Sequence, residues 1–522
     1  MHPCLNVDEI LRQLARELVV SEAKATAVSL ACCCKGFEDL VLGVLWKSQD
    51  RLFPLLMTLP PDVWKMEAGR FVSLLEELVV FLSDRAKSFE RIPTKTEWSR
   101  LRKYAREMRQ LGVGAPQDPP ITSGIFLMLQ LRTANEPLLP KLKTFQCYAD
   151  EALIPFIPLF LSCETTAIYI EFTEDSPLLI VASMVTRLPI LCPDLDYIVL
   201  DALPEDPIIT EAVSEMLLSC NGEALQCFNV DSPLTEEARN VLFQLPKLSD
   251  LWLVVQGRTL LPPVALPNLN TIYVEFGDCL DWLQGFRGVM VGNLEQFSLS
   301  SCSEQIGDFL GQFKDVALTT SAPATLREFV FRTPRSWNPN YRSLLPFTQL
   351  RELLIEFSCE GGCSSRIDDG VVVDLARAMP ELRILRLGRM PCGTRGGITI
   401  MGLIALAGNC HLLSKLRIHF EAASLVEATA VVGVSAPSDS KPMDRQQGCA
   451  LTDLEVGAIP VEKGTVLKVT MTLLRIFPRL FNIESNRKSW KEVAGIVGLV
   501  RRIDTFVNHA GKVYLHVFNS PQ

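Results

Sequence analysis

The sequence predicts an α/β fold in which a small head of three helices precedes a long array of repeats, each repeat pairing a short parallel strand with a returning helix. Three observations lead to this prediction. The spelling L-x-x-L-x-L recurs along most of the 522 residues. Capped, helix-forming stretches stand between its copies. The first 46 residues, by contrast, have the apolar spacing of helices and contain no copy of the leucine spelling.

The head is predicted over residues 5–46. Asn6 and Glu9 form a capping arrangement ahead of an apolar helical face. Ser21 can cap a second, alanine-rich helix, which Gly36 suits as an end. A third helix then runs to Trp46. Pattern alone is equally compatible with a small helical cap on the repeat array.

These residues also resemble a known family. Val7 to Leu11 resembles the L-P-x-E-I-L opening of an F-box, Cys34 to Phe37 resembles C-K-x-[WF], and Leu45-Trp46 resembles the closing L-W. The longer stretch from Cys34 to Pro60 is similar to the variant in fungal, mushroom-type, F-box and leucine-rich-repeat proteins. The chain departs from the pattern where Asn6-Val7 replaces Leu-Pro, which leaves the start of the helix less rigid.

The resemblance implies that the head binds a Skp-type adaptor through an apolar surface. A bundle of about 40 residues cannot hide a large apolar stripe by itself. The residues that match F-box positions, and that we expect to contact the adaptor, are Val7, Ile10, Leu11, Leu14, Phe37, Leu45 and Trp46.

A helical extension is expected after the head. One helix is predicted from Pro60 to Arg91. A second begins at the capping box Thr94-x-x-Glu97, and Gly112 is expected to end it. The sequence of this second helix resembles the W-x-R-[FL]-x-x-Y-A segment of the same fungal family. The predicted domains are therefore 1–60 (F-box-like), 61–112 (helical linker region), 113–124 (Gly/Pro-rich linker) and 125–522 (solenoid).

The repeats account for the body of the chain. In a strand, the last two leucines of L-x-x-L-x-L point to one face, and a row of stacked parallel strands can bury them. The clear copies are Leu248/Leu251/Leu253, Leu294/Phe297/Leu299, Leu326/Phe329/Phe331, Leu350/Leu353/Ile355, Leu382/Leu385/Leu387 and Leu413/Leu416/Ile418. The weaker copies are Leu142/Phe145/Cys147, Leu195/Ile198/Leu200, Leu225/Phe228/Val230, Leu269/Ile272/Val274, Leu451/Leu454/Val456 and the shortened Leu480/Phe481/Ile483.

The return limbs are predicted to be helices. Asp368 or Asp369 can cap one helix, and 400–409 forms the next. The stretches 368–387 and 399–410 also resemble the fungal family. Irregular spacing of the copies predicts an irregular leucine-rich-repeat solenoid, and residues 433–449 are expected to be a loop.

The residue between the last two apolar positions of each strand should point away from the core and form a column on the inner, concave face. This column is Val199, Asn229, Trp252, Tyr273, Ser298, Val330, Leu354, Arg386, Arg417 and Glu455. Trp252, Tyr273, Arg386 and Arg417 are residue types that binding hot spots favour, so we expect them to contact a protein target. The arginines would prefer an acidic or phosphorylated segment. The alternative is that helices or loops cover the column and its residues serve packing.

Composition excludes several classes of function. The net charge of −9 opposes nucleic-acid binding. The richest apolar run, 152–161, is interrupted by two prolines and is too short for a membrane span. Asp8 and Glu9 stand where a signal peptide would carry basic residues. An intracellular location, cytoplasmic or nuclear, is therefore expected.

No catalytic, cofactor or metal site is predicted. The sixteen cysteines lack regular spacing and read as reduced small hydrophobes, with Cys32 to Cys34 facing the core. Cys359 and Cys363 have no second ligand pair nearby. The glycine clusters lack the Lys-Ser/Thr of a phosphate-binding loop.

The resemblance as a whole implies a non-catalytic substrate receptor of cullin-RING (SCF-type) ubiquitin ligases, in which the head binds the adaptor and the repeats hold the target. The alternative is an interaction scaffold without a ligase role, which the departure at Asn6-Val7 favours. A cysteine-dependent enzyme is a third, more distant alternative.

Overall fold

The computed structural model divides the chain into two compact units, Met1–Val254 and Val255–Gln522. It describes residues 8–20, 23–33, 35–68, 85–89, 91–114, 121–133, 136–173, 175–255, 265–276, 290–291, 293–301, 308–318, 322–333, 339–357, 367–388, 397–427, 449–456, 461–485 and 487–502.

The first unit begins with three helices, α1 (Asp8–Val20), α2 (Lys24–Cys33) and α3 (Lys35–Leu45), so the prediction of a three-helix head is confirmed. The helices share one small core. Leu11 and Ala15 of α1 pack with Phe37 and Val41 of α3, and α2 contributes the small side chains of its alanines. Small side chains on α2 let the other two helices approach it closely, which is the structural reason for the alanine-rich sequence.

The extension after the head differs from its prediction. It contains strand β1 (Ser48–Gln49), helix α4 (Phe53–Leu56), a 3-10 turn (Pro61–Val63) and an antiparallel pair, β2 (Trp64–Ala68) with β3 (Arg85–Phe89). The predicted helix from Pro60 to Arg91 is therefore wrong at 64–68 and 85–89, while its apolar stripe, 71–82, lies outside the described residues. Residues 64–68 alternate large and charged side chains, which suits a strand.

Helix α5 (Lys95–Ala105) starts at the predicted capping box. The Thr94 hydroxyl accepts from the Glu97 amide (3.4 Å), and the Glu97 carboxylate accepts from the Thr94 amide (2.7 Å). Hydrogen bonds from the Arg91 guanidinium are the main reason that the pKa of Glu97 falls to about 2. The helix ends at Ala105, earlier than predicted, and Gly112 lies inside strand β4 (Gln110–Val113).

Seven parallel strands are paired in the first unit, in the order β1, β4, β5 (Thr144–Ala149), β6 (Ala167–Phe172), β7 (Tyr197–Asp201), β8 (Cys227–Pro233) and β9 (Asp250–Val255). Their return limbs are α6 (Ser123–Arg132), a 3-10 segment (Ile154–Leu159), α7 (Leu178–Leu191), α8 (Pro207–Ser219) and α9 (Glu236–Leu242). Parallel pairing thus starts at residue 48, earlier in the chain than the predicted start of the solenoid at 125.

Eight parallel strands are paired in the described part of the second unit: β11 (Thr271–Phe276), β13 (Gln296–Ser301), β14 (Glu328–Thr333), β15 (Glu352–Phe357), β16 (Ile384–Leu387), β17 (Lys415–Arg417), β18 (Asp453–Glu455) and β19 (Asn482–Glu484). A separate parallel pair joins β10 (Ala265–Leu266) and β12 (Met290–Val291). The return limbs are α10 (Phe309–Ala317), α11 (Ala322–Thr325), a 3-10 turn (Tyr341–Leu344), α12 (Asp369–Ala378), α13 (Ile400–Asn409), α14 (Ala422–Glu427), a 3-10 turn (Lys463–Thr465) that leads into α15 (Val466–Ile476), and α16 (488–502). The predicted alternation of parallel strands and helices is confirmed.

The core lies on the leucine side of these strands. Every position of the six clear copies is buried, and so are all positions of the weaker copies except Phe481, which is 67% exposed. The shortened copy was therefore assigned wrongly at Phe481. Two repeats were missed, at Met108/Leu111/Val113 and Thr165/Ile168/Ile170. Thr165 can replace the first leucine because its buried hydroxyl donates to the carbonyl oxygen of Leu142 in the preceding repeat (3.0 Å).

One backbone device links successive repeats. Before most of the strands in the parallel array, the carbonyl oxygen of the preceding residue accepts hydrogen bonds from two consecutive amides of the next repeat. The Lys47 oxygen, for example, accepts from the amides of Arg109 (2.8 Å) and Gln110 (3.0 Å). We call these pre-strand residues the amino-end column. In the first unit it consists of Lys47, Arg109, Lys143, Thr166, Asp196 and Gln226, and in the second of Asn270, Glu295, Arg327, Arg351, Arg383, Ser414 and Thr452.

The remaining sequence predictions for the body are settled in part. The capping of α12 is as predicted, since the Asp368 side chain accepts from the Val371 amide (2.9 Å), and α13 spans the predicted 400–409. The predicted linker at 113–124 starts on the last residue of β4 and ends inside the first turn of α6, with 115–120 outside the described residues. Nearly all of the predicted loop at 433–449 is also outside them.

Candidate functional site

The head exposes fewer of the expected adaptor-contacting side chains than the sequence suggests. Leu11, Phe37 and Leu45 are 3%, 6% and 9% exposed and form the core of the head. Ile10 and Leu14, one helical turn apart on α1, are 46% and 39% exposed. Val7 lies outside the described residues. The outward apolar feature that remains from the prediction is therefore the Ile10 and Leu14 pair.

Trp46, the last of the expected contact residues, is half-buried because its ring stacks on Tyr104 of α5, with centroids 4.8 Å apart. Lys103 also reaches back from α5 to the head, where its ammonium lies 3.1 Å from the Asp39 carboxylate. Trp46 therefore joins the head to the following helix. Sequence reasoning missed this contact, although Tyr104 stands in the segment that resembles the fungal family.

The predicted outward column matches the strand register. In the first unit Val199, Asn229 and Trp252 are consecutive partners across β7, β8 and β9. In the second unit seven strands align the remaining predicted members, Tyr273, Ser298, Val330, Leu354, Arg386, Arg417 and Glu455. Arg386 and Arg417 are thus direct neighbours, as expected, whereas Trp252 and Tyr273 belong to different units.

Exposure along the column is uneven. Val330 and Leu354 are only 3% and 9% exposed, so at these two strands the alternative of a packing role applies. Trp252, Tyr273, Arg386 and Arg417 are all half-buried. Burial is also the largest cause that raises the pKa of Tyr273, followed by the nearby Glu275 carboxylate.

The basic pair belongs to a network of ion pairs. Glu455 contacts both arginines, lying 3.0 Å from Arg386 and also accepting from Nε of Arg417. Glu356 lies 2.7 Å from Arg417 and 3.2 Å from Arg332. Like charges on directly opposed strand positions destabilise a sheet, and Glu455 offsets this for Arg386 and Arg417. An acidic target segment would have to displace these carboxylates.

The glutamates were the functional detail that sequence reasoning missed. Glu455 stood in the predicted column beside Arg417, so the register itself could have indicated the ion pair. Glu356 lies two residues beyond the column residue Leu354, on the same side of its strand. A two-residue alternation applied to β15 would have placed it next to the arginines.

The corresponding face of the first unit is aromatic and acidic. Tyr169 and Tyr197 are half-buried there, and Glu171 and Asp201 are direct cross-strand partners. Burial, with a smaller contribution from Glu171, raises the pKa of Asp201. One carboxylate oxygen of Asp201 is buried with no hydrogen-bond partner in the described part of the chain.

Asp231 shapes the turn that follows β7. Ala202 has a left-handed backbone with φ of 56°, which is strained for an alanine. Its amide donates to Asp231 Oδ2, and the Leu203 amide donates to Asp231 Oδ1 (3.1 Å). Burial nevertheless raises the pKa of Asp231 to about 6, because desolvation outweighs the two amide donors.

The cysteines that the structure describes are exposed on the head and mostly buried in the body. Cys32 and Cys33 are exposed, so the expectation that they face the core was wrong, and Cys34 is outside the described residues. Burial raises the pKa of the Cys227 and Cys410 thiols to about 12, which keeps them protonated and inert. Within the described ranges no three His, Cys, Asp or Glu side chains group as metal ligands. Cys359 and Cys363 lie outside those ranges.

Two further findings bear on function. None of the helices that the structure describes is both long and apolar enough to cross a membrane. Neither a scan against protein-family models nor a search of curated proteins found a match to this chain.

Proposed function

We propose that this chain is the substrate-recognition subunit of a cullin-RING ubiquitin ligase, with a head of the F-box type and a leucine-rich-repeat body. The observation that supports the proposal most is the joint presence of a three-helix head, at the position of the F-box-like residues, and a parallel strand–helix array in one chain. Such a receptor does no bond chemistry. It accelerates ubiquitin transfer by holding a target at high effective concentration near an enzyme on another subunit.

Adaptor binding is assigned to the exposed side of α1. Ile10 and Leu14 stand one turn apart and lose solvent contact only if a partner covers them. Leu11, Phe37 and Leu45 support this surface from beneath, as the core that holds α1 against α3. The resemblance to F-box proteins identifies the partner class as a Skp-type adaptor.

The test uses the full chain and a purified Skp-type adaptor. Replacing Ile10→Asp together with Leu14→Asp should weaken binding at least about a hundredfold, because burying each apolar side chain contributes about 1.5–3 kcal/mol. Both side chains are exposed, so the head should keep its circular dichroism spectrum. Leu127→Asp with Leu131→Asp, two comparably exposed residues on α6, is the matched control and should bind normally.

Failure of the folded wild-type chain to bind the adaptor at micromolar concentration would leave the scaffold without a ligase role as the better proposal. Equal losses in the two double variants would show that the α1 pair is not the contact surface. We expect the α1 variant to lose adaptor binding and to retain capture of a target, because the two partners bind different parts of the chain.

Target binding is assigned to the outward column, with Trp252, Tyr273, Arg386 and Arg417 as contact residues. Reversing the charge of the arginines would be a poor test, because it would also leave Glu356 and Glu455 without their ion-pair partners. Trp252→Ala with Tyr273→Ala is the better variant within the same experiment. It should reduce target capture and spare adaptor binding, and unchanged capture would move the target site away from these two aromatic residues.

A further inference from the structure

A cavity of about 950 Å³ lies in the first unit at the amino ends of β1, β4, β5 and β6. Its size is that of a pocket for a small molecule or a few residues of a peptide. Its walls are polar and strongly cationic. The lining residues are Lys47, Ser48, Arg109, Gln110, Pro140, Lys141, Lys143, Thr144, Glu164 and Thr166.

Four cations face this space against one carboxylate, in a chain whose net charge is −9. Across the ranges that the structure describes, Lys47, Arg109, Lys141 and Lys143 form no ion pair with any carboxylate. The positive charge of the cavity is therefore not a consequence of general composition. No ion pair neutralises it within the described ranges, although the Asp196 carboxylate is near enough to interact electrostatically with Lys143.

The fold itself brings three of the cations together. Lys47, Arg109 and Lys143 are successive members of the amino-end column, linked by backbone hydrogen bonds. Parallel strands are about 4.8 Å apart, so the three residues follow one another at that spacing. Like charges so placed destabilise a sheet unless a counter-charge binds between them.

The second unit carries three successive arginines in its amino-end column, Arg327, Arg351 and Arg383, and the first two of them have carboxylate partners. There Arg327 pairs with Glu295 at 3.4 Å and Arg351 pairs with Glu381 at 3.1 Å, both close to the column. The first unit has lysines and an arginine at equivalent places without those partners. The first unit therefore places three successive cations of the column, unpaired within the part of the chain that the structure describes, around one cavity, and a bound anion is the counter-charge that fits this arrangement.

We propose that this cavity binds a compact anion that carries two or more phosphate groups, either a free polyphosphate-type molecule or a phosphorylated protein segment. Arg109 is held in place, since its Nη1 donates to the Lys141 carbonyl oxygen at 3.0 Å. The hydroxyls of Ser48, Thr144 and Thr166 line the same space and can donate to phosphate oxygens. Lysine and arginine are the side chains that recognise phosphate, and their hydrogen bonds to it are charge-assisted.

Calorimetric titration of the full chain with tripolyphosphate, at about 0.15 M ionic strength, tests the proposal. Wild-type protein should bind one equivalent saturably. Lys47→Gln with Lys143→Gln leaves Arg109 and its backbone contact in place, and should weaken binding at least about tenfold, since hydrogen bonds to charged groups contribute about 1.5–3 kcal/mol each. Lys47→Arg with Lys143→Arg should stay within about threefold of wild type, as the charge is kept.

Arg132→Gln with Arg187→Gln is the control, because it removes two exposed cations outside the cavity and changes the net charge equally. It should leave affinity within about twofold, the expectation for distant surface charges screened by salt. A control that loses as much as the cavity variant, or a wild type that binds no tripolyphosphate at millimolar concentration, would overturn the proposal.

Competition titrations with further ligands identify the source of the phosphate. A doubly phosphorylated peptide that competes with tripolyphosphate while its unphosphorylated form does not would assign a protein segment. Competition by free polyphosphate alone would assign a small molecule. An oligonucleotide that binds more tightly than both, with a loss in the control variant as well, would contradict a compact phosphate site.

Discussion

At the scale of single residues, Asp231 has the clearest dependence on pH. Its pKa is raised from 3.8 to about 6, so the folded state holds a proton that the unfolded state releases at lower pH. The stability that this proton contributes is complete below about pH 4 and is lost as pH rises through about 6. Because the side chain is partly solvated, the effect should be about 1 kcal/mol.

Asp231→Asn should remove that component. The difference in unfolding free energy between wild type and variant should therefore become less favourable to wild type, by about 1 kcal/mol, as pH rises from 4 to 7. Urea unfolding at several pH values measures this. Asp194→Asn, on an exposed carboxylate nearby in the sequence, is the control. A wild-type advantage that grows with pH would contradict the assignment.

The residue-level predictions from sequence succeeded where the two-residue alternation of a strand decides, and failed where a partner comes from elsewhere. The register of the column is confirmed, because register follows from the buried leucines, although Val330 and Leu354 are buried and do not face solvent. The ion pair of Arg417 with Glu356 and that of Arg386 with Glu455 were missed because, in each, the glutamate lies on a strand two places away in the order of the sheet. Leu11, Phe37 and Leu45 were taken as surface, although a head of three short helices needs its few large side chains for its own core.

At the scale of elements, Gly114 directly follows β4 and has a left-handed backbone conformation that other residues avoid. Its φ is +78°, and a Cβ atom at this position would lie 2.3 Å from the carbonyl oxygen of Tyr148 in β5. Gly388, after β16, has φ of +81°, but its nearest neighbour would be 3.8 Å away. An alanine at Gly388 would therefore add backbone strain alone, whereas an alanine at Gly114 would add backbone strain and a steric clash.

Gly388→Ala should cost about 1–2 kcal/mol, the cost of a left-handed alanine. Gly114→Ala should cost more, about 3 kcal/mol or above, because backbone atoms must also move apart. Chemical denaturation followed by circular dichroism compares the two variants. Equal costs would show that the chain next to Gly114 relaxes freely and that β4 is not held against β5 at its end.

Element prediction depended on what marks each element in the sequence. Helices α5, α12 and α13 carry capping residues, and their starts were correct. The pair β2 and β3 was read as one helix because the apolar spacing of 71–82 dominated that stretch. The repeats at β4 and β6 were overlooked because Met108 and Thr165 stand where a leucine was expected. A threonine can be buried at such a position only when its hydroxyl has a hydrogen-bond partner, as that of Thr165 has.

At the scale of the whole molecule, the apolar core of a stacked array continues from one repeat to the next. A truncation inside the array therefore exposes the apolar side chains of the last remaining repeat. A chain that stops after Leu387 would lose the pairing of β16 with β17 and the cover of α13, whose Leu403 and Leu406 are fully buried. Leu385 and Leu387 would then face water. Such a chain should be less soluble and melt about 6–24 °C lower, since each of the two exposed leucines costs about 1.5–3 kcal/mol and each kcal/mol shifts the melting point by about 2–4 °C.

The control for this truncation keeps every strand. A protease site placed in the predicted loop at 433–449 and then cleaved breaks the chain without removing any described strand or helix. Because each strand is held by its neighbours through backbone hydrogen bonds, the cleaved protein should stay assembled on gel filtration and melt within about 5 °C of the intact chain. If the truncated chain were as soluble and heat-stable as the cleaved one, stacking would not stabilise the second unit. Each strand–helix pair would then have to be stable by itself. The leucines of the adjacent strands, which are buried in the stack, argue against such independent stability.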